Sequence, residues 1–239
     1  MKRALVTGGS GELGAAICRV LAQDGLEVLV HANSRGDRAR SVAASIEGGG
    51  GRARAIIFDV TDAEGTAQAL APVVEEGPIQ VLVNNAGMHD DAVMAGMSTA
   101  QWSRVIDVSL NGFFNVTQPL LMPMIRTRWG RVVNISSVAA IMGNRGQVNY
   151  AAAKAALHGA TKSLAIEVAS RGVTVNAVAP GIIESPMAST AFTKEKIEAL
   201  VPMKRAGRPE EVADLVSFLV SDRAAYISGQ ILSINGAMA

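Results

Sequence analysis

Short β-branched runs alternate with Ala-rich stretches of helical spacing almost from one end of the chain to the other. Seven runs stand out: Ala4–Val6, Val28–Val30, Ala55–Phe58, Val81–Val83, Arg131–Ile135, Val173–Val175 and Ile231–Ile234. Most are apolar at consecutive positions, which is the pattern of strands covered on both faces of a parallel sheet. Between them, stretches such as Gly14–Gln23 and Ala151–Ala169 read as helices. This βαβ rhythm predicts an α/β chain: a Rossmann-type, doubly wound, seven-stranded parallel sheet with helices on both faces and right-handed crossovers. No linker, repeat or charge block interrupts it, so residues 1–239 read as one domain. The Gly48–Gly51 run reads as a loop before the third strand.

Composition narrows the function classes. The chain is 49% hydrophobic and 18% charged, with a formal net charge of +1. Near-neutral charge argues against nucleic-acid binding, which needs a basic surface to displace counterions. One cysteine, Cys18, allows neither an internal disulfide nor a thiolate metal cluster, and its place among Ala15, Ala16 and Ile17 reads as core. No metal site is expected. The opening MKRALVTGG lacks the apolar run of a signal peptide, and no stretch approaches the ~20 apolar residues of a membrane span. The expectation is a cytoplasmic protein.

Directly behind the first run lies TGGSGELG, Thr7 to Gly14, which opens a helix. A helix start offers unpaired N–H groups and a positive dipole end to an anion, and glycine lets backbone approach phosphate closely. Gly9-x-Gly11-x-x-Gly14 matches a dinucleotide fingerprint, although a tight glycine turn for packing gives the same letters. After the second run an acidic residue that would take the ribose hydroxyls is missing; the chain reads His31-Ala32-Asn33-Ser34-Arg35. Small polar groups beside an arginine suit the 2′-phosphate of NADP, against a plain polar loop as the alternative.

The fifth run leads into Ser136 and Ser137, and thirteen residues beyond Ser137 stands Tyr150, followed one helical turn later by Lys154. Carboxyl ends of strands line the ligand crevice in such sheets, so Ser137 should face a bound dinucleotide. Tyr150 and Lys154 share a helix face. A tyrosine is a poor acid–base group near neutrality, and an adjacent ammonium should bring its pKa down towards the working range. The Ser137 hydroxyl can hold a substrate carbonyl. Each residue alone would be structural or solvated; together, behind a phosphate loop, they read as a catalytic set.

With these motifs the chain resembles the short-chain dehydrogenases/reductases over essentially its whole length. The resemblance rests on Thr7–Gly14, Asp59-Val60, Asn84-Asn85-Ala86-Gly87, Ser137, Tyr150, Lys154 and Pro180-Gly181. It implies a cofactor-binding part at about 1–135 and a catalytic and substrate part at about 136–239. It implies that Tyr150 protonates the carbonyl oxygen and that Lys154 also binds the nicotinamide ribose. Gly8, Gly9, Ser10, Gly11, Leu13 and Gly14 would line the cofactor phosphates, with Asp59 and Val60 at the adenine. Asn85, Ala86 and Gly87 would run along the cofactor, with Pro180, Gly181 and Ile183 at its carboxamide end.

Within that superfamily the chain is most similar to 3-oxoacyl-[acyl-carrier-protein] reductases, through Met142–Lys154, Glu167–Gly172 and Ala225–Gly229. That similarity implies NADPH, a 3-oxoacyl chain on acyl carrier protein as substrate, and a homotetramer. It also places Arg128 and Arg171 where such reductases meet the acidic carrier, although two arginines are as readily solvated surface.

Two positions depart from the pattern. Glu12 replaces the middle glycine of the loop, and Gly11 stands where an arginine often helps bind the 2′-phosphate. A carboxylate at a helix start favours the dipole and can cap N–H groups, so Glu12 is expected to point away from the pyrophosphate. That leaves Asn33, Ser34 and Arg35 for the 2′-phosphate. Ser109 stands where the family commonly has an asparagine that holds a proton-relaying water; Asn111, two residues on, should face another side.

The leading expectation is therefore an NADPH-dependent 3-oxoacyl reductase in fatty-acid, polyketide or polyene synthesis. The alternatives are an alcohol dehydrogenase for a free sugar, steroid or small alcohol, and a catalytically impaired partner subunit of a hetero-oligomer. The segment Glu184–Val201 is expected to form a lid over the substrate.

Overall fold

The strands are β1 (Arg3–Val6), β2 (Glu27–Ala32), β3 (Arg52–Ile57), β4 (Val81–Asn84), β5 (Gly130–Ile135), β6 (Val173–Pro180) and β7 (Ile231–Ile234). This is a computed structural model, which describes residues 1–185 and 192–239. The strands form one all-parallel sheet in the order β3-β2-β1-β4-β5-β6-β7. The order reverses between β1 and β4, so the crevice beyond their carboxyl ends is where a doubly wound sheet binds ligands.

The consecutive apolar runs follow from coverage on both faces. Ala4, Val6, Val28 and Val30 enter one core with Ile17 and Leu21 of α1 (Glu12–Gln23) and Val216 and Leu219 of α9 (Pro209–Val220). Also on this face is α2 (Gly36–Gly48), through Ala39 and Val42. The intervening Leu5, Leu29 and Leu82 enter a second core with α3 (Ala63–Glu76) and α5 (Gly112–Arg126). Alternate side chains of each strand thus find apolar partners on opposite sides.

The remaining helices are α4 (Thr99–Ile106), α6 (Ala139–Met142), α7 (Val148–Val168) and α8 (Lys194–Leu200). Between α4 and α5 the residues Asp107–Asn111 form a π-helical turn. Gly48 closes α2 and does not belong to a loop, as the glycine run suggested; the turn is Gly49–Gly50, with Gly50 at φ +83°. β3 begins at Arg52, ahead of the apolar run expected at Ala55, and Phe58 lies just past its end. The expected lid, Glu184–Val201, falls partly outside the described residues; of it, α8 is capped by Thr193, whose hydroxyl accepts from Lys196 N at 3.4 Å. Among the described residues no helix is long and apolar enough to cross a membrane.

Candidate active site

The glycine loop is shaped by its neighbours. Gly8 sits at φ +64°, and a Cβ on it would approach Asn85 Nδ2 to 3.0 Å, so glycine is required there. Its carbonyl accepts from Gly11 N at 3.1 Å and from Asn85 Nδ2 at 3.2 Å. The Thr7 hydroxyl accepts from the backbone of both Asn85 and Ala86 at 2.9 Å, fastening the loop after β1 to the loop after β4. A Cβ on Gly14 would collide with the Gly8 carbonyl, so α1 can meet the loop only through glycine.

Gly11 precedes α1 without a side-chain cap, which leaves the first-turn N–H groups free for an anion. Glu12, the first residue of α1, is exposed and caps nothing; its carboxylate stands in the favourable dipole position and no more. Gly11, at φ −83°, is exposed, and a Cβ there would meet only the Gly8 carbonyl at 3.5 Å. The uncapped helix start and the glycine-lined turn fit a dinucleotide's phosphates, with Gly9, Ser10 and Leu13 in the same turn.

Sequence reasoning missed the residue behind this loop. His31, on β2 and 2% exposed, accepts the Gly8 N–H on Nδ1 at 3.0 Å, so its Nε2–H donates to the Phe58 carbonyl at 2.9 Å. Its ring lies 4.1 Å from that of Phe58. Burial pushes its pKa down to about 4, against smaller upward effects of the Phe58 carbonyl and Asp59. The Gly8 N–H is therefore spent on His31 and is not available to a phosphate. A histidine in an apolar strand, one residue before a polar loop, was the only signal.

Asn33, Ser34 and Arg35 are exposed beyond the end of β2. Asp59 accepts from Thr61 N at 2.9 Å and Thr61 Oγ1 at 2.8 Å, and these bonds, together with one from Asn33, hold its carboxyl below the usual range. Val60 is buried against Gly112, where a Cβ would meet it at 2.9 Å.

Ser136 and Ser137, just past β5, have different jobs. Ser136 donates to the Lys154 carbonyl at 3.1 Å and pairs with His158 at 2.7 Å, stapling α7 to the strand end. The Ser137 hydroxyl accepts from Ala139 N at 3.1 Å and bonds the Tyr150 phenol. Lys154 is 3% exposed; its Nζ donates to the Ile135 carbonyl at 2.8 Å and lies 5.8 Å from the Tyr150 ring centroid.

The electrostatics differ from expectation. Burial raises the Tyr150 pKa, the Ser137 bond lowers it, and the negative charge of Asp91 raises it again. The Lys154 ammonium is turned to the Ile135 carbonyl and does not bring the phenol down; burial instead takes Lys154 itself to about 8. Tyr150 is therefore held as a protonated donor, the form that carbonyl reduction consumes.

Ser109 sits in the π-helical turn, 3% exposed, with its hydroxyl unpaired. A Cβ on Gly87 would lie 3.7 Å from Ser109 Oγ and 3.0 Å from Lys154 Nζ, so Ser109, Gly87 and Lys154 bound one small space. Asn111 is exposed and donates to Asp107 at 2.7 Å, on another side as expected.

A cavity of about 430 Å³ opens between Ser137, Tyr150, Gly181 and Ile183 and continues to Leu200 of α8 and to Met238. Its lining includes the apolar Met142, Ile182 and Phe192 and the polar His89, Asp91 and Gln147. Gly181 approaches Asn235 so closely that a Cβ would come within 2.9 Å of its Cβ, and Ile183 bridges to Gly207. Arg128 and Arg171 are not part of this site. They precede β5 and β6, at the opposite end of the sheet from Ser137, where Arg128 Nη2 reaches the Ser170 carbonyl at 3.4 Å. Among the described residues no three His, Cys, Asp or Glu side chains are grouped to hold a metal ion.

The family model for short chain dehydrogenase matches residues 2–196. The chain is 42% identical over 236 residues to the 3-oxoacyl-[acyl-carrier-protein] reductase FabG of Aggregatibacter actinomycetemcomitans, covering 98% of each. It is 42% identical to the reductase of that name from Thermotoga maritima, over 99% of this chain and 97% of the relative. It is 44% identical to nodulation protein G of Azospirillum brasilense, over 99% and 98%. With its sheet order, its glycine loop and its Ser137–Tyr150–Lys154 wall, the chain belongs to the short-chain dehydrogenase family.

Proposed function

We propose that the chain is an NADPH-dependent reductase that converts a 3-oxoacyl thioester on acyl carrier protein to the 3-hydroxyacyl thioester. The observation that carries this reading is that Ser137 and Tyr150 line one cavity together with Gly181 and Ile183, past the carboxyl ends of the strands. The relatives named 3-oxoacyl-[acyl-carrier-protein] reductase support the substrate class.

When bound, NADPH supplies a hydride to the carbonyl carbon. Gly9, Ser10, Gly11, Leu13 and Gly14 would hold its phosphates, Asn33, Ser34 and Arg35 its 2′-phosphate, and Asp59 and Val60 its adenine. Asn85, Ala86 and Gly87 would line its path, with Lys154 at the ribose and Pro180, Gly181 and Ile183 at the carboxamide. Gly8 acts through the shape of the loop. Ser137 holds the substrate carbonyl oxygen, and Tyr150 gives that oxygen its phenolic proton as it gains charge. Lys154, cationic up to its pKa of about 8, borders the space it shares with Ser109 and Gly87, where it would pass a proton on. Ser109, facing the same space, holds a water that returns the proton.

The protein is proposed to act in the cytoplasm as a homotetramer, which would cover exposed Phe114 and Met122 on α5, Ile166 on α7 and Tyr226 near β7. Arg128 and Arg171 would meet the acidic carrier. They lie a strand's length, roughly 20 Å, from Tyr150 along the sheet, so a carrier seated there would serve the site of a neighbouring copy.

The test is steady-state turnover of acetoacetyl thioester and carrier-bound 3-oxoacyl chains beside a panel of free alcohols and sugars, each with NADPH and NADH. Thioester reduction with NADPH is expected to dominate. Preferential oxidation of a free alcohol, or a preference for NADH, would replace this assignment.

A further inference from the structure

The helix that carries Tyr150 starts in an unusual way. Its N-cap, Gln147, makes no side-chain capping bond, and no acidic residue stands in the first turn. What holds that turn comes from another part of the chain, the loop after β4. Ala92 N donates to the Gly146 carbonyl at 2.9 Å, and Asn149 Nδ2 donates to the Asp90 carbonyl at 3.0 Å. Asp91 then takes Gln147 Nε2 on both carboxylate oxygens, at 3.1 and 3.0 Å, and His89 Nδ1 at 3.0 Å. Gln147 is held from its other end by Asn144, whose Nδ2 donates to Oε1 at 2.9 Å.

Asp91 thus holds the residue at the start of the catalytic helix by its side-chain amide, from outside the helix. It also faces the cavity. Among the described residues that line it, the titratable ones are His89, Asp91 and Tyr150. Asp90 is turned away to Gln101 and Arg104, at 2.9 and 3.5 Å. Lys154, on α7 itself, is turned to Ile135.

We propose that Asp91 is a positioning residue for Tyr150, which fixes the first turn of the catalytic helix through Gln147 and, with His89 beside it, presents a negative charge to the cavity that the phenol lines. The proposal rests on Tyr150 being the proton donor. It predicts two separable effects, one of geometry and one of charge. Burial and Asp91 act in the same direction on the phenol, and only the second can be removed without opening the site.

The two effects can be read apart because the chain has only two tyrosines, and Tyr226 is fully exposed and remote from the cavity. In a Tyr226→Phe background the tyrosinate absorbance reports Tyr150 alone, with no substrate present. Asp91→Asn keeps the shape and removes the charge; the Tyr150 titration should move to lower pH, and the alkaline limb of kcat should move with it, while NADPH affinity stays within about twofold. Gln147→Ala keeps the charge and cuts the latch; kcat should fall on the order of tenfold at every pH, because small misplacements of a reacting group are costly. Asp91 is about half exposed, so both variants leave the core intact. An unmoved absorbance titration in Asp91→Asn would overturn the charge role, and an unchanged kcat in Gln147→Ala would overturn the positioning role. Absence of thioester reduction in the unmodified enzyme would instead tell against the reductase reading, and the absorbance titration would still decide the charge role.

Discussion

Gly8 gives its backbone N–H to His31 Nδ1 at 3.0 Å, so the first glycine of the cofactor loop is held from behind by a buried ring and does not itself grip a phosphate. The second ring nitrogen donates to the Phe58 carbonyl, which ties the loop to the end of β3. This arrangement works only with a neutral imidazole, since a protonated ring would turn a second N–H against that of Gly8.

Acid should therefore weaken the fold through His31. Its folded pKa of about 4 lies below the ordinary 6.5, so the unfolded chain takes the proton first. The contribution is full above 6.5 and is lost as pH falls from there through 4, by about 3 kcal/mol in all. Urea unfolding of the wild type and His31→Asn across that window should show a much flatter loss in the variant.

Lys154 opposes folding for the sake of chemistry. Brought from 10.5 to about 8 by burial, it costs about 3 kcal/mol at neutral pH, where it is protonated in both the folded and unfolded chain. Lys154→Met should raise unfolding stability by about 1–2 kcal/mol, less than the full amount because the Ile135 carbonyl loses its donor. The same variant should have lost turnover, which a kinetic assay beside the unfolding curve will show.

Ser109 is a buried hydroxyl without a partner, next to Lys154 and Gly87. Ser109→Ala should leave the melting temperature nearly unchanged, since the hydroxyl makes no hydrogen bond to another protein group. If the hydroxyl holds the relay water, kcat should fall about tenfold with a changed pH profile. An untouched rate and profile would remove Ser109 from the relay.

Gly11 has room and a backbone that any residue can adopt. Gly11→Arg should strengthen NADPH binding by roughly tenfold, the worth of one charge-assisted bond, and leave NADH nearly unchanged. Fluorescence titration with both nucleotides checks it.

The sheet was legible because each strand is buried on two sides: Leu5 and Val6 face opposite cores, so neither position could be polar. Ser137, Tyr150 and Lys154 were legible because their chemistry needs those residue types at that spacing. The strand starts at Arg3, Glu27 and Arg52 were not, since a charged residue at the first position of a strand carries no apolar signal. Neither were His31 and Asp91, whose partners Gly8 and Gln147 lie far along the chain. The direction in which the Tyr150 pKa moves also escaped the sequence. Adjacency to Lys154 suggested a fall, whereas burial and a carboxylate from another loop produce a rise.

The most direct measurement is NADPH consumption with a carrier-bound 3-oxoacyl thioester, in the wild type and in Tyr150→Phe. The wild type should turn over, and the variant should bind NADPH normally while losing at least about 10²-fold in kcat, the worth of a positioned proton donor. Equal turnover by the variant, or a wild type that binds NADPH and leaves the thioester untouched, would contradict the assignment.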